Sequence, residues 1–179
     1  MTVPVIETPR LTLRAHTLDD FSPSLAMWAD PIVTRYIGGV PSSAEAVWAR
    51  LIRYAGHWAL LGYGYWVVQE KGSQEFLGEL GFADYHRDIS PPIDAPELGW
   101  ALIPRVHGRG YATEAVAAVL QWGDRHFQGS PTVCLIHPDN APSVRVAEKN
   151  GYREWTRTQY KGEPAILFER FSETSQNSP

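Results

Sequence analysis

The sequence predicts a single α/β domain of α+β type, with a mixed, mostly antiparallel sheet and helices on both faces. Three observations carry that expectation. The chain of 179 residues is 44% hydrophobic, enough for one sizeable core. Its apolar pattern switches between the two-residue period of strands and the 3.6-residue period of helices, in the order strand, helices, hairpin, strand–helix–strand–helix, strands. No repeat or linker interrupts residues 7–171, and a polar segment, "SETSQNSP" (172–179), follows as an expected disordered tail.

Taken in order, "RLTLRA" (10–15) alternates and predicts the first strand. "TLDDFSPSLAMWAD" (17–30) opens with Thr17 and acidic residues, a helix start whose regularity Pro23 limits. "SSAEAVWARLIRYAGHWALLG" (42–62) is a clearer helix, with Ser42 or Ser43 as cap and Val47, Leu51, Tyr54 and Trp58 as its apolar stripe. "YGYWVVQE" and "EFLGELGFADY" flank a "KGSQ" turn and predict a hairpin. A Pro-rich loop (86–96) leads to the strand "ELGWALI" (97–103), then a helix over 111–127 and the strand "TVCLIH". "APSVRVAEKN" (141–150) is a short helix with Gly151 as its stop, and "REWTRTQY" and "PAILFERF" form a final strand pair.

Composition excludes several classes. Sixteen Lys and Arg against 20 Asp and Glu give a net charge of −4, so no overall basic field draws nucleic acid or an anionic membrane. The apolar runs fall far short of a bilayer span, and the N-terminus lacks a signal pattern. A cytoplasmic chain, monomeric or homodimeric, is expected. The single cysteine, Cys134, forbids an internal disulfide and any multi-Cys metal site, and reads as an inert buried strand residue. No metal is expected. The histidines at 16, 57, 86, 126 and 137 show no metal or triad spacing and read as surface or capping residues.

The stretch "IPRVHGRGYATEAVAAVLQWGDRHF" (103–127) poses a chemical question, because glycines and cations stand where a strand gives way to a helix. A helix N-terminus offers unpaired N–H groups and about half a positive charge, and so attracts an anion. Gly108 and Gly110 let the backbone approach a phosphate closely, and Arg105, His107 and Arg109 add positive charge. The Gly-Lys-Ser/Thr of a P-loop is absent, and Thr113 stands where a dinucleotide fingerprint needs a third small residue. A turn whose glycines serve geometry alone stays open as the alternative.

The pair "PRVHGRGYATEA" and "HPDNAPSVRVAEKNGY", with the opening "IETPRLTLR" and "ELGWALI", resembles the GCN5-related N-acetyltransferase (GNAT) superfamily, and within it the RimJ/RimL-type branch of ribosomal-protein N-terminal acetyltransferases. The resemblance runs from about residue 7 to 171. It implies a GNAT fold with a splayed strand pair that admits acetyl-CoA. It also implies that Arg105, Val106, His107, Gly108, Arg109 and Gly110 hold the pyrophosphate, continued by Tyr111 and Ala112. The pantetheine arm would then pair with main chain at Leu102 and Ile103. By the same analogy Asn140 bonds the pantetheine amides, and the Ser143 hydroxyl lies near the thioester sulfur. Asn and Ser there are also favoured simply as helix-start residues. The Tyr that many members carry four residues later is Ala147 here, which removes the usual acid for the leaving thiolate.

The implied reaction moves acetyl from acetyl-CoA to a primary amine, on a protein N-terminus or a small molecule. The amine must lose a proton, and Glu97 is the first candidate to take it, directly or through water, with Glu79 second. Either is otherwise a strand carboxylate. A main-chain N–H of the splayed strand would meet the oxyanion. Trp28, Tyr36, Trp58 and Trp66 are candidates for an aromatic cleft lining. The mild acidity of the chain slightly favours a cationic acceptor. The competing readings are a catalytically silent acyl-CoA-binding module and a nucleotide-binding protein.

Overall fold

The computed structural model describes residues 2–172. Most of the expected tail, 173–179, lies outside the described residues, while Ser172 is buried. Eight strands form one sheet: β1 (Ile6–Glu7), β2 (Leu11–Arg14), β3 (Tyr65–Glu70), β4 (Phe76–Ala83), β5 (Glu97–Leu102), β6 (Thr132–Ile136), β7 (Arg153–Tyr160) and β8 (Glu163–Arg170). Their order is β1-β2-β3-β4-β5-β6-β8-β7, antiparallel throughout except at β5–β6. The helices are α1 (Phe21–Trp28), α2 (Pro31–Thr34), α3 (Ala44–Leu61), α4 (Tyr111–His126) and α5 (Ala141–Lys149).

Local chemistry accounts for these bounds. Ser43 caps α3 by accepting the Ala46 N–H at 3.2 Å, and the expected stripe Val47, Leu51, Tyr54 and Trp58 is buried. Pro23 sits in the first turn of α1, where its missing N–H would have had no helical partner, so the helix is not broken. Two short elements escape periodicity. The strand β1 has two residues and α2 has four, the latter started by Asp30 accepting the Ile32 N–H at 2.8 Å with Pro31 in the first turn.

Alternation along β5 divides the core. Leu98 and Leu102 join a cluster with Ala115, Val116, Val119 and Leu120 of α4 and Ala147 of α5. Ala101, on the opposite face, packs with Met27, Trp28 and Val47 beneath α1 and α3. Trp58 and Trp66 meet edge to face at 4.7 Å inside the first cluster, and the Trp66 Nε1–H donates to the Pro4 carbonyl at 2.8 Å.

A buried carboxylate ties α1 to the sheet. Glu79 of β4 is 1% exposed and accepts from the Ser24 hydroxyl at 2.6 Å and the Trp28 Nε1–H at 2.9 Å. His16, expected at the surface, is buried with its Nε2 3.6 Å from the same carboxylate. Burial alone would raise the Glu79 pKa, but His16 and the two donors outweigh it and hold it below its usual 4.5. A depressed carboxylate pKa stabilises the fold in full above the unfolded value, and that contribution is lost as pH falls through the folded value. Urea titrations of Glu79→Ala should show a loss of about 3 kcal/mol at pH 7, because two buried donors lose their acceptor. The gap to wild type should narrow below pH 4.5.

Candidate functional site

The site begins where two neighbouring strands part. The parallel pair β5–β6 is joined at one register position, Glu97 opposite Val133, whereas β5 pairs with β4 along its whole length. Beyond Glu97 the open edge of β5 therefore presents main-chain groups to a cleft instead of to a strand. The cleft has a volume of about 820 Å³. Gly99, Trp100 and Ala101 of β5 and Leu135 and Ile136 of β6 line it, with Asn140 and Ser143 at the start of α5.

At the far end of β5 the chain makes a short 3-10 turn, Pro104–Val106, and then the glycine loop. Gly108 and Gly110 have φ of +73° and +79°, a left-handed conformation that disfavours side chains. A Cβ on Gly108 would meet nothing within 4 Å, so the space before the loop is open to a ligand. No side chain caps α4 at Gly110, so its first-turn N–H groups have no side-chain cap. Val106 is buried and anchors the loop. The His107 Nε2–H donates to the Leu102 carbonyl at 2.8 Å, bracing loop against strand. Arg105 is salt-bridged to Glu75 at 2.6 Å, and Arg109 leans over Tyr111.

Sequence reasoning missed one member of this loop. Arg10 donates Nη1–H to the Arg109 carbonyl at 2.9 Å, pairs with Glu114 at 2.6 Å and lies 4.2 Å above the Tyr111 ring. The segment "TPRLTLR" contained it, but nothing local linked it to residues a hundred positions away.

At the opposite side of the cleft Asn140 caps α5, its Oδ1 accepting the Ser143 N–H at 3.3 Å. The cap uses the Ser143 N–H and not its hydroxyl, and Ser143 is among the residues that line the cleft. Ala147 is fully buried in the core, one turn further on. His137 also lines the cleft, with Nδ1 accepting the Asp139 N–H at 3.1 Å and its ring 5.3 Å from Tyr36. Trp28 and Tyr36 line the cleft as expected, whereas Trp58 and Trp66 are in the core instead.

The two candidate carboxylates differ sharply. Glu97 lines the cleft with both oxygens held by Arg87, at 2.7 Å from Nε and 2.7 Å from Nη2. Glu79 is bound to Ser24 and Trp28 and does not line the cleft. Beside Glu97, Tyr65 stacks on Tyr54 at 4.2 Å and accepts from the Tyr85 hydroxyl at 3.2 Å. The Tyr65 hydroxyl reaches β5 because residue 99 is glycine; a Cβ there would lie 2.2 Å from it. Burial pushes the Tyr54 and Tyr65 phenols well up, so both stay protonated at neutral pH. It does the same to the Cys134 thiol, as expected of an inert cysteine. His57, also expected at the surface, is buried between the Arg53 and Asp84 carbonyls. Among the described residues no three of His, Cys, Asp and Glu gather as a metal site, and no helix is long and apolar enough to cross a membrane.

Residues 10–153 match the family model described as an acetyltransferase (GNAT) domain. YkkB of Bacillus subtilis is 34% identical over 113 residues, covering 62% of this chain and 64% of that protein, just under two thirds of its length. The N-acetyltransferase YoaA of the same organism is 27% identical over 156 residues, covering 84% of each. A GnaT-family protein from Bordetella pertussis has a similar structure, with a TM-score of 0.83 at 31% identity over 94% of this chain and 99% of that one. A RimL-type α-N-protein acetyltransferase in complex with CoA shares the fold, with a TM-score of 0.75 at 16% identity over 94% and 98% of the two chains.

The loop geometry generates a direct test. Gly108→Val places a side chain in the open space, Gly110→Val places one against the Arg10 guanidinium, and both disfavour the left-handed turn. Calorimetric titration with acetyl-CoA should show affinity weakened tenfold or more, about 1.4 kcal/mol, in variants whose circular dichroism is unchanged.

Proposed function

The chain belongs to the GNAT acetyltransferase family, and on that premise we propose that it carries the acetyl group of acetyl-CoA to the nitrogen of a primary amine, on a protein N-terminus or a small molecule. The observation that carries this reading is the single-residue pairing of β5 and β6, which opens a slot between a phosphate-sized loop and the Asn140–Ser143 helix start. The residues present fit acetyl-CoA. The open space before Gly108 and the uncapped α4 suit its pyrophosphate, with Arg10, Arg105 and Arg109 around them. The open edge of β5 suits the pantetheine amides as far as Leu102, whose carbonyl also takes the His107 bond; the Ile103 N–H is spent on the Leu77 carbonyl at 2.9 Å, which leaves its carbonyl for the arm. Asn140 has its Nδ2 free of a cap role, and Ser143 offers a hydroxyl at the acetyl end. The RimJ/RimL-type placement rests on "IETPRLTLR", "ELGWALIPRVHGRGYATEA" and "NAPSVRVAEKNGY".

Bound acetyl-CoA supplies an activated acyl group whose thiolate is displaced by the amine. The chain must hold the amine, neutralise the oxyanion and manage two protons. Main-chain N–H groups on the open edge of β5 are placed for the oxyanion. With Ala147 in the core, Ser143 is the hydroxyl placed to donate to the departing sulfur. The amine proton goes to Glu97, the one of the two carboxylates that lines the cleft. Arg87 bonds each oxygen once and leaves each a second lone pair, to which the proton passes directly or through water. A terminal α-amine, with pKa about 8, is already about one-tenth neutral at pH 7 and needs little help, whereas a lysine-like amine needs a base.

Turnover of any amine with release of CoA, absent from heat-unfolded protein, tests this reading; a chain that binds acetyl-CoA and acetylates no amine is a silent acyl-CoA-binding module. Two variant series refine it. Ser143→Ala should change stability by less than about 0.5 kcal/mol, because the cap belongs to Asn140, while lowering kcat and leaving acetyl-CoA affinity unchanged. Asn140→Ala should cost about 1 kcal/mol of stability. A wild-type kcat in Ser143→Ala removes the hydroxyl from the mechanism.

Glu97→Gln alone strands Arg87 and should destabilise the fold by about 3 kcal/mol, much of which Arg87→Gln in the same chain should restore. The double variant therefore isolates the chemistry. Against a lysine-like amine its kcat/KM should fall on the order of 10²-fold at pH 7 and recover as pH rises toward the amine pKa. A profile parallel to wild type makes the Glu97–Arg87 pair a structural element only.

A further inference from the structure

The charge of the cleft is opposite to that of the chain. The net charge of −4 favours a cationic acceptor, yet Arg35, Arg50, Arg53, Arg87 and Lys161 all line the cleft. Against these five cations stand two lining carboxylates, Glu97 and Glu163. Glu97 is consumed by Arg87. Among the described residues, Arg35, Arg50, Arg53 and Lys161 have no carboxylate within 4 Å. They rest on aromatic faces instead: Arg50 3.7 Å above Trp28, Arg53 5.3 Å from the Tyr85 centroid.

Arg50 is the most telling. Its Nε is buried and has no hydrogen-bond acceptor. Arginine cannot shed its charge; the Tyr54 hydroxyl takes one of its hydrogen bonds and the buried Glu79 carboxylate attracts it from beyond 4 Å, but no carboxylate pairs with it directly, which is unfavourable for a partly buried cation. The Tyr54 and Tyr65 phenols beside it stay protonated and supply no negative charge. The protein thus leaves a desolvated guanidinium open to an anion from outside.

The donor does not supply that anion. Acetyl-CoA carries its charges on phosphates at the nucleotide end, and its pantetheine arm and acetyl group are neutral. The glycine loop that suits the phosphates follows Leu102, whereas Arg87 sits on Glu97 and shares the Tyr85 ring with Arg53, about 17 Å away at the strand's rise per residue, and Arg50 lies between the two, over Trp28. The two cationic regions serve different ligands.

We infer that the acceptor is an amine that itself carries a carboxylate, with Arg50 and Arg53 holding the carboxylate and orienting the amine toward the β5–β6 slot. This inference rests on the acetyl-transfer reading and narrows its acceptor. Polycationic amines are disfavoured by the same side chains.

The test compares amines with and without the acid group: 6-aminohexanoate against hexylamine, phenylalanine against 2-phenylethylamine, and spermidine as a polycation. Two readouts are needed, kcat/KM from CoA release and calorimetric affinity for the protein saturated with CoA. The carboxylate-bearing member of a pair should be favoured 10- to 100-fold, the range expected of a charge-assisted bond, with spermidine the poorest. Arg53→Gln and Arg50→Gln should move the acid-to-neutral ratio toward one, and Arg53→Lys should retain part of it. Preference for hexylamine, 2-phenylethylamine or spermidine overturns the inference while leaving acetyl transfer intact. Arginine-dependent binding of the acids without any acetylation sustains the anion site and overturns the transfer reading. An acid-to-neutral ratio unmoved by both arginine variants overturns the inference, as does a failure of every acid to bind or react.

Discussion

The constraint on which the rest depends is the parting of β5 and β6. A parallel pair held at one residue cannot satisfy the facing edges of both strands by mutual pairing. The molecule turns that deficit into a binding surface, with one edge kept straight by β4 and the other by β8. Everything chemically relevant is arranged around the gap. The glycine loop closes one end, the α5 start stands across it, and the cations and tyrosines of α3 and the β4–β5 connection line the other end. The α1–α3 layer and the α4–α5 layer hold the two faces of the sheet so that the gap stays open.

Much of this was legible in the sequence because it was local. The two-residue alternation of β2, the apolar stripe of α3 and the glycine turn before α4 each depend on neighbours within a few positions. What escaped was either too short to have a period or assembled from distant segments. With two residues β1 has no alternation to read, and α2 is signalled only by Asp30–Pro31. Arg10 reaches its partners across about a hundred positions, and Arg50, Arg53, Arg87 and Lys161 come from three separate stretches. Net charge is a poor guide to the cleft for the same reason, since the fold sorts cations into it and composition averages them away.

Buried polar groups were misread in a consistent direction. Glu79, His16 and His57 look like solvated residues when their burial is unknown, yet each lies inside the molecule. Glu79 serves to attach α1, and Glu97 is partnered by Arg87 from the loop that precedes its strand. Residue type and position on a strand cannot distinguish a carboxylate that faces a cleft from one that clamps a helix. The partner decides, and only the fold reveals it.

The contact between the N-terminal edge and the glycine loop has a thermodynamic consequence. Thr8 and Arg10 converge on Glu114 of α4, and Arg10 also holds the Arg109 carbonyl, across 99 to 106 positions of chain. Edge strands and chain ends are where native proteins open most readily. When the segment around β1 and β2 frays, the loop loses Arg10 and the support of its carbonyl while the rest of the sheet persists. A ligand that binds the intact loop must then suppress that opening by the same free energy with which the docked segment strengthens its binding. Occupancy of the loop by such a ligand and protection of the amides near residues 8–14 from hydrogen exchange are two views of one equilibrium.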